Sequence, residues 1–301
     1  MPEESRGSPI SIAVIGTGRF GLKHAKRLKI HPQFLLRCTV DCDERARGEA
    51  AQLGVPALAS INDLPPDIRA ATIAVSSAHH AELAIALMKK GIDVLVEKPL
   101  ATQERQLVAM LDAAEVQNRI LVTGHIERFN PWMEQISHIE SPKNLEFDRQ
   151  SSIAGSTDDA ILDLMVHDLD LAAILLKASP DAPMQIEKVE VEHPWICAFV
   201  RLKKTPIKLR CSYGASRPYA HLEWSDLFGK VSKVELSTSQ NCTEKDAITR
   251  QYDAFYAILC GNRSSIASGA EGAASARRAM QILNFPKTTT SNRLGNEGST
   301  N

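Results

Sequence analysis

Gly16, Gly18 and Gly21 stand as G-x-G-x-x-G directly after the apolar run Ile10 to Ile15 and at the head of a helical stretch. In that setting the first glycine permits a tight turn, the second lets a pyrophosphate approach the backbone, and the third lets helix and sheet pack closely. Arg19 and Phe20 lie inside the motif, where the free N–H groups of a helix start would face the anion. Asp41 ends the next apolar run 20 residues after Gly21, where a carboxylate can accept from both ribose hydroxyls of an adenosine. A 2′-phosphate would meet like charge from Asp41 and Asp43, which favours NAD, although the nearby Arg45 guanidinium could bind such a phosphate. Read as a packing turn and a helix cap alone, the same residues would need no cofactor.

A second set of polar residues sits at other element ends. Glu97, Lys98 and Pro99 follow the run IDVLV, at the carboxyl edge where an open parallel sheet binds ligands; as a surface ion pair they would do no chemistry. Asp163 and His167 are four apart in ILDLMVHDLD, so a regular helix puts them on one face. Leu162, Met165, Leu169, Ala172 and Leu176 form a separate apolar stripe, which predicts that the polar pair points away from the core. An exposed helical pair is the plain alternative. A metal cluster with Asp168 and Asp170 lacks a second ligand group of convincing spacing, so no metal site is expected. His125, Glu127, Arg128 and Asn130 occur in GHIERFNP after the last strand of the first half; Asn130 could bind a ligand or cap the helix opened by Pro131. In the second half Arg149, Arg210, Arg217 and Tyr252 could contact a diphosphate or sugar, or be solvated residues.

The elements that must position these residues follow from periodicity. Strands are expected at Ile10–Ile15, Leu35–Val40, Ala71–Val75, Asp93–Val96 and Ile120–Thr123, alternating with helices over 19–29, 43–53, 79–90 and 104–117. Such alternation through short connections gives a parallel sheet with right-handed crossovers. After Gly124 the pattern becomes a short helix after Pro131, a strand near 145–149, a long helix over 159–177 and five strand-like runs from Ile186 to Ser237. Short gaps between those runs favour antiparallel pairing of neighbours. Helices over 247–259 and 270–283 close the fold. The expected class is α/β: a Rossmann doubly wound parallel sheet over 1–124, then an α+β domain over 125–285 with a large open, mainly antiparallel sheet. The last helix is able to pack back on the first domain, and 286–301 form a disordered tail.

With 301 residues, 44% hydrophobic, and 35 Lys+Arg against 36 Asp+Glu, the composition is that of a globular enzyme or binding protein. A net charge of −1 gives no long-range pull toward nucleic acid or anionic membrane. The six cysteines form no C-x-x-C pair, so neither a zinc knuckle nor a disulfide scaffold is signalled. No run approaches the roughly 20 apolar residues that cross a bilayer, and a cytoplasmic protein is expected. Burying the open second sheet would take self-association, as a homodimer or homotetramer.

The glycine turn followed by E-K-P after VLV resembles the Gfo/Idh/MocA family of nicotinamide-dependent sugar and polyol oxidoreductases, over about residues 10 to 285. The resemblance implies that Lys98 is the active-site lysine, with Glu97 holding it in place and a Lys98–Pro99 bond able to be cis. Asp163 and His167 match the family's D-x-x-x-H motif, which makes His167 the catalytic acid/base with Asp163 beside it. NAD would then contact Gly16, Gly18, Arg19, Phe20, Gly21, Asp41, Ser76, Ser77, His80, Glu97, Lys98 and Arg128. The substrate would meet Lys98, His125, Glu127, Asn130, Asp163, His167 and Arg217. GHIERFNP with DLMVHDLD looks most like the branch that oxidises the 3-hydroxyl of UDP-N-acetylglucosamine, whose ketone a partner aminotransferase converts to an amine on the route to lipid A. Oxidation of a free polyol such as inositol, and a dinucleotide-binding regulator without turnover, are the alternatives. One departure is the loop Val75-Ser76-Ser77-Ala78-His79-His80, which lacks the family's Thr-Pro pair and should be less preset.

Overall fold

Each crossover of the first half is built from local signals. In the computed structural model, which describes residues 8–236 and 246–289, β1 (Ile10–Ile15) is almost wholly buried and runs into α1 (Arg19–Ile30). β2 (Phe34–Val40) leads to α2 (Glu44–Ala51), whose first turn is capped by the Asp43 carboxylate accepting from Ala46 N at 2.7 Å; such a cap is worth about 1 kcal/mol. The two-residue β3 (Ala57–Leu58), β4 (Ala70–Ile73), α3 (His80–Lys89), β5 (Asp93–Glu97), α4 (Glu104–Val116) and β6 (Leu121–Gly124) complete the alternation. Gly91, at φ +81, supplies the left-handed residue between α3 and β5.

The chain continues through α5 (Met133–Ile136), β7 (Asn144–Gln150), α6 (Thr157–Ala160), a π-helical turn over Ile161–Met165, and α7 (Val166–Leu175). Five strands follow: β8 (Met184–Glu192), β9 (Trp195–Leu202), β10 (Thr205–Ser212), β11 (Tyr219–Ser225) and β12 (Val231–Glu235). The helices α8 (Ala247–Leu259) and α9 (Gly269–Asn284) flank the two-residue β13 (Ala267–Ser268), and β14 (Lys287–Thr289) is the last described element.

Contacts divide the chain into two compact units, Met1–Gln135 with Thr238–Arg277, and Ile136–Ser237 with Arg278–Asn301. The break thus falls beyond Gly124, and α8 with most of α9 returns to the first unit. One other expectation changes. Lys287–Thr289 pair in parallel with β8 instead of beginning a disordered tail, while 290–301, with Ser237 and Cys242, lie outside the described residues.

Among the described residues the first unit holds a seven-stranded sheet, β13-β6-β5-β4-β1-β2-β3, parallel except for β13. Its register aligns the site. Val40 pairs with Ile15, Ile15 with Ile73, Ile73 with Val96, and Val96 with Thr123. Asp41, Gly16, Ala74, Glu97 and Gly124 therefore leave the sheet at one level of its carboxyl edge. Ile248, Tyr252 and Phe255 of α8 join a core cluster with residues of β1, β2 and α1. Each such burial is worth about 1.5–3 kcal/mol, so the returning helix is part of this core.

The second unit holds a seven-stranded sheet of order β12-β11-β7-β10-β9-β8-β14. It is mainly antiparallel, but β7 lies between β10 and β11 and runs parallel to β10. The consecutive strands β10 and β11 therefore do not pair with each other, contrary to the reading from short gaps. β9 alternates strictly between buried and half-buried residues, the mark of a sheet with one face packed and the other open.

Candidate active site

Gly16 takes φ +89, and a Cβ there would lie 2.7 Å from Ala74 O, so the turn admits only glycine. At Gly21 a Cβ would run into the Gly16 carbonyl oxygen. Gly18 differs. A Cβ there would meet nothing within 4 Å, and the residue begins α1 with no side-chain cap and no acidic residue in the first turn. Backbone N–H groups at the positive end of the helix dipole thus face open space, an arrangement suited to a pyrophosphate. An open pocket of about 680 Å³ lies against the turn, lined by Gly18, Arg19, Lys23, Asp43 and Arg45 among others.

Asp41 is held in this turn by its neighbours. Its Oδ2 accepts from Thr17 N at 2.7 Å and Thr17 Oγ1 at 3.1 Å, and its Oδ1 accepts from Asp43 N at 3.0 Å. A carboxylate has about four lone-pair directions, so room remains at Oδ1 for one ribose hydroxyl where two were expected. Arg45 is exposed and pairs with Glu49 at 3.5 Å. Phe20 stacks edge-on against His24, with ring centroids 5.0 Å apart.

The loop after β4 places Ser76 in solvent and Ser77 half-exposed. His80 is buried, with Nδ1 3.0 Å from Pro99 O and Nε2 3.2 Å from Val75 O. A neutral ring has one N–H and so donates to one of these two carbonyls, and the bond to Pro99 O joins the start of α3 to the loop after β5. Burial pushes the His80 pKa down despite the two carbonyls that favour the charged form.

Lys98 is half-buried between the buried Glu97 and Pro99, and the Lys98–Pro99 bond is cis. Glu97 Oε1 lies 3.1 Å from His24 Nε2, and His24 Nδ1 lies 2.8 Å from the Tyr252 hydroxyl, which is 2.9 Å from Thr72 Oγ1. Tyr252 is fully buried, so it is a core residue of the first unit and no contact for a diphosphate. Glu97 also packs on Gly124, where any Cβ would strike its carboxylate.

His125 and Asn130 are buried, and Asn130 Nδ2 donates to Glu127 Oε2 at 2.6 Å instead of capping the next helix through its side chain. The Arg128 guanidinium donates to Ser265 O at 3.2 Å and pairs with Glu271 at 3.3 Å. Arg128 thereby joins the segment after β6 to the start of α9.

In the second unit Asp163 and His167 do not sit on a regular helical face, because Asp163 lies within the π turn. Such wide turns recur at functional sites. Asp163 is half-buried and accepts from the Tyr213 hydroxyl at 2.6 Å. Burial, then the Asp163 carboxylate, raise the Tyr213 pKa and keep its proton on the phenol. His167 is buried, as are Asp168 and Asp170, while Asp163 keeps part of its surface exposed. Asp168 is taken up by Arg149, whose Nη2 lies 2.8 Å from Oδ1. Arg210 stacks 3.3 Å over Trp195 and pairs with Asp148 at 3.0 Å, while Arg217 is exposed. Tyr213 went unnoticed in the sequence because nothing local to β10 indicates its partner in the π turn.

Residues 10–125 match the GFO/IDH/MocA family, an oxidoreductase family with an NAD-binding Rossmann fold. The chain is 32% identical over 171 residues to the UDP-N-acetylglucosamine 3-dehydrogenase of Acidithiobacillus ferrooxidans, a stretch covering 56% of this chain and 54% of that protein. It is 28% identical over 181 residues to the myo-inositol 2-dehydrogenase of Thermotoga maritima, covering 55% and 54%. The chain thus spans about half the length of the curated relatives it matches. Among solved structures, the A. ferrooxidans enzyme superposes with a TM-score of 0.77 at 22% identity, over 92% of this chain and 97% of that one. The scyllo-inositol dehydrogenase of Lactobacillus casei, solved with NAD(H) and scyllo-inositol, gives 0.75 at 16% identity, over 91% and 95%. At these identities the superpositions show a shared fold. The open glycine cradle and the carboxylate at the end of β2 agree with the match of residues 10–125 to the NAD-binding Rossmann fold of the GFO/IDH/MocA oxidoreductase family.

Proposed function

We propose that the chain is an NAD-dependent dehydrogenase of a sugar hydroxyl, and that its substrate is the 3-hydroxyl of UDP-N-acetylglucosamine. The observation that carries the reading is the single level at which Asp41, the Gly16 turn and Glu97 leave the parallel sheet, with Lys98 the next residue of the chain. Gly16, Gly18, Arg19, Gly21, Asp41, Ser76 and Ser77 would hold NAD, which supplies a hydride acceptor when bound.

This chain's residues handle the proton and the charge. A free imidazole titrates near about 6.5 and a water-like hydroxyl near about 15.7, a gap of about 12 kcal/mol. A free alkoxide is therefore too costly, and His167 must take the hydroxyl proton as the carbon loses its hydride. Lys98 stabilises the negative charge developing on that oxygen. Asp163, held by Tyr213, favours the imidazolium form of His167.

The similarity to the A. ferrooxidans enzyme supports a nucleotide sugar, and a 3-ketone is the class of product an aminotransferase consumes. The similarity to inositol dehydrogenases supports a free polyol as the second reading. We further propose a cytoplasmic homo-oligomer.

NAD reduction screened across nucleotide sugars and free polyols, with the oxidised carbon mapped, separates these readings. Activity on UDP-N-acetylglucosamine and not on inositol is expected. Lys98→Ala and His167→Ala should each lower turnover about 10²-fold or more while NAD binding survives. Turnover of both variants within a few-fold of wild type would refute the assignment, and NAD binding with no reduction by any sugar would favour a regulator.

A further inference from the structure

We propose that His24 and Tyr252 are positioning residues for Lys98, acting through Glu97; the inference rests on the dehydrogenase reading. His24, Tyr252 and Thr72 are each 0% exposed and Glu97 7%. Burying four polar side chains in a row costs free energy unless every donor finds an acceptor. Here each does, in one direction. A carboxylate only accepts, so His24 Nε2–H donates to Glu97; Nδ1 is then an acceptor for the Tyr252 hydroxyl, whose oxygen accepts from Thr72.

Tyr252 comes from α8, 228 residues away from His24 in sequence, and its hydroxyl donates to the Nδ1 lone pair that remains once the Glu97 carboxylate fixes the His24 proton on Nε2. Burial raises the Tyr252 pKa, so the phenol stays a donor. Glu97 is then held by two neighbours, His24 and Gly124, the latter both paired with it in the strand register and lying against its carboxylate. The next residue is Lys98. A core of the same shape could be built with leucine and phenylalanine at positions 24 and 252 and would lack the polar group that aims Glu97.

Without the phenol, Nδ1 is left a buried acceptor with no donor and the ring loses the anchor on its far side, so the carboxylate it holds, and the lysine that follows, are placed less firmly. A misplacement of about 1 Å can cost about 10²-fold in rate. Tyr252→Phe, which keeps the ring, should lower kcat about 10-fold with the KM for NAD changed less than about twofold. His24→Leu should lose about 10- to 100-fold, and His24→Gln, which offers an N–H donor and a carbonyl acceptor, should recover to within about threefold of wild type.

Two signals need no sugar. The ¹⁵N spectrum of His24 should show an unprotonated Nδ1 in the wild type, and the ¹³C signal of methylated Lys98, assigned by its loss in Lys98→Arg, should move in Tyr252→Phe. Equal losses in His24→Leu and His24→Gln would overturn the proposal, as would an unmoved lysine signal or unchanged kcat in Tyr252→Phe. If the wild type oxidises no sugar, the dehydrogenase reading fails, and the tautomer and lysine signals still decide whether this network orients residue 98.

Discussion

At the scale of single residues, the three glycines of one motif do three separable things. Gly18→Ala places its methyl in open space, so the fold should keep its melting temperature to within a few degrees. NAD should weaken about 10-fold or more, because the methyl stands where the anion meets the backbone. Gly21→Ala drives a methyl into the Gly16 carbonyl and should cost about 1–3 kcal/mol of stability. Calorimetric NAD titration beside thermal melts checks the contrast; equal effects of the two variants on both readouts would refute it. Tyr213→Phe tests another residue. It removes the 2.6 Å donor to Asp163 and keeps the ring that packs on Gly155, so kcat should fall about 10-fold, the worth of one hydrogen bond to a charged group, with melting temperature little changed. The glycine turn was legible in the sequence because its chemistry is local. The roles of Tyr213 and Tyr252 were not, since each is defined by a partner brought from another part of the chain.

At the scale of elements, His80 joins the loops after β4 and β5, and its protonation should tune their hold. An unfolded histidine takes its proton near about pH 6.5, whereas burial lowers the His80 pKa in the fold. Below about 6.5 the unfolded state therefore binds more protons, and stability falls as pH drops, by at most about 1.4 kcal/mol per pH unit for this one group. Urea midpoints taken from about pH 7 to pH 5 should show that decline in the wild type and a flatter line in His80→Asn; parallel lines would exclude His80 as the source. Most elements could be placed from periodicity, since β1 and α8 begin and end where the apolar pattern does. The π turn at Ile161–Met165 could not, because an extra residue per turn has no composition of its own, and the i, i+4 argument for Asp163 and His167 assumed a regular helix. The edge strands β13 and β14, of two and three residues, are fixed by their neighbours and carry no period.

At the scale of the whole molecule, the second sheet presents a face that local pairing has already prepared for contact. Along β9 the half-buried residues are Trp195, Cys197, Phe199 and Arg201, and across the strands Lys208 pairs with Glu146 and Arg210 with Asp148. Arg210 also lies over Trp195 and Lys188 over Phe199. The cations are thus neutralised within the sheet, and the aromatic area they cover could meet a second copy without leaving an unpaired charge buried. A two-fold contact buries the same patch on both copies, and a stable interface needs about 800 Å² from each, which a sheet of seven strands can supply. Light scattering behind size-exclusion chromatography should therefore report a dimer or tetramer. Trp195→Asp combined with Phe199→Asp places like charges opposite each other across such a contact and should yield a monomer that still binds NAD through the first unit. A wild type that remains monomeric at about 100-micromolar concentration, where even the weakest interfaces of this size would be populated, would show that the face is open to solvent.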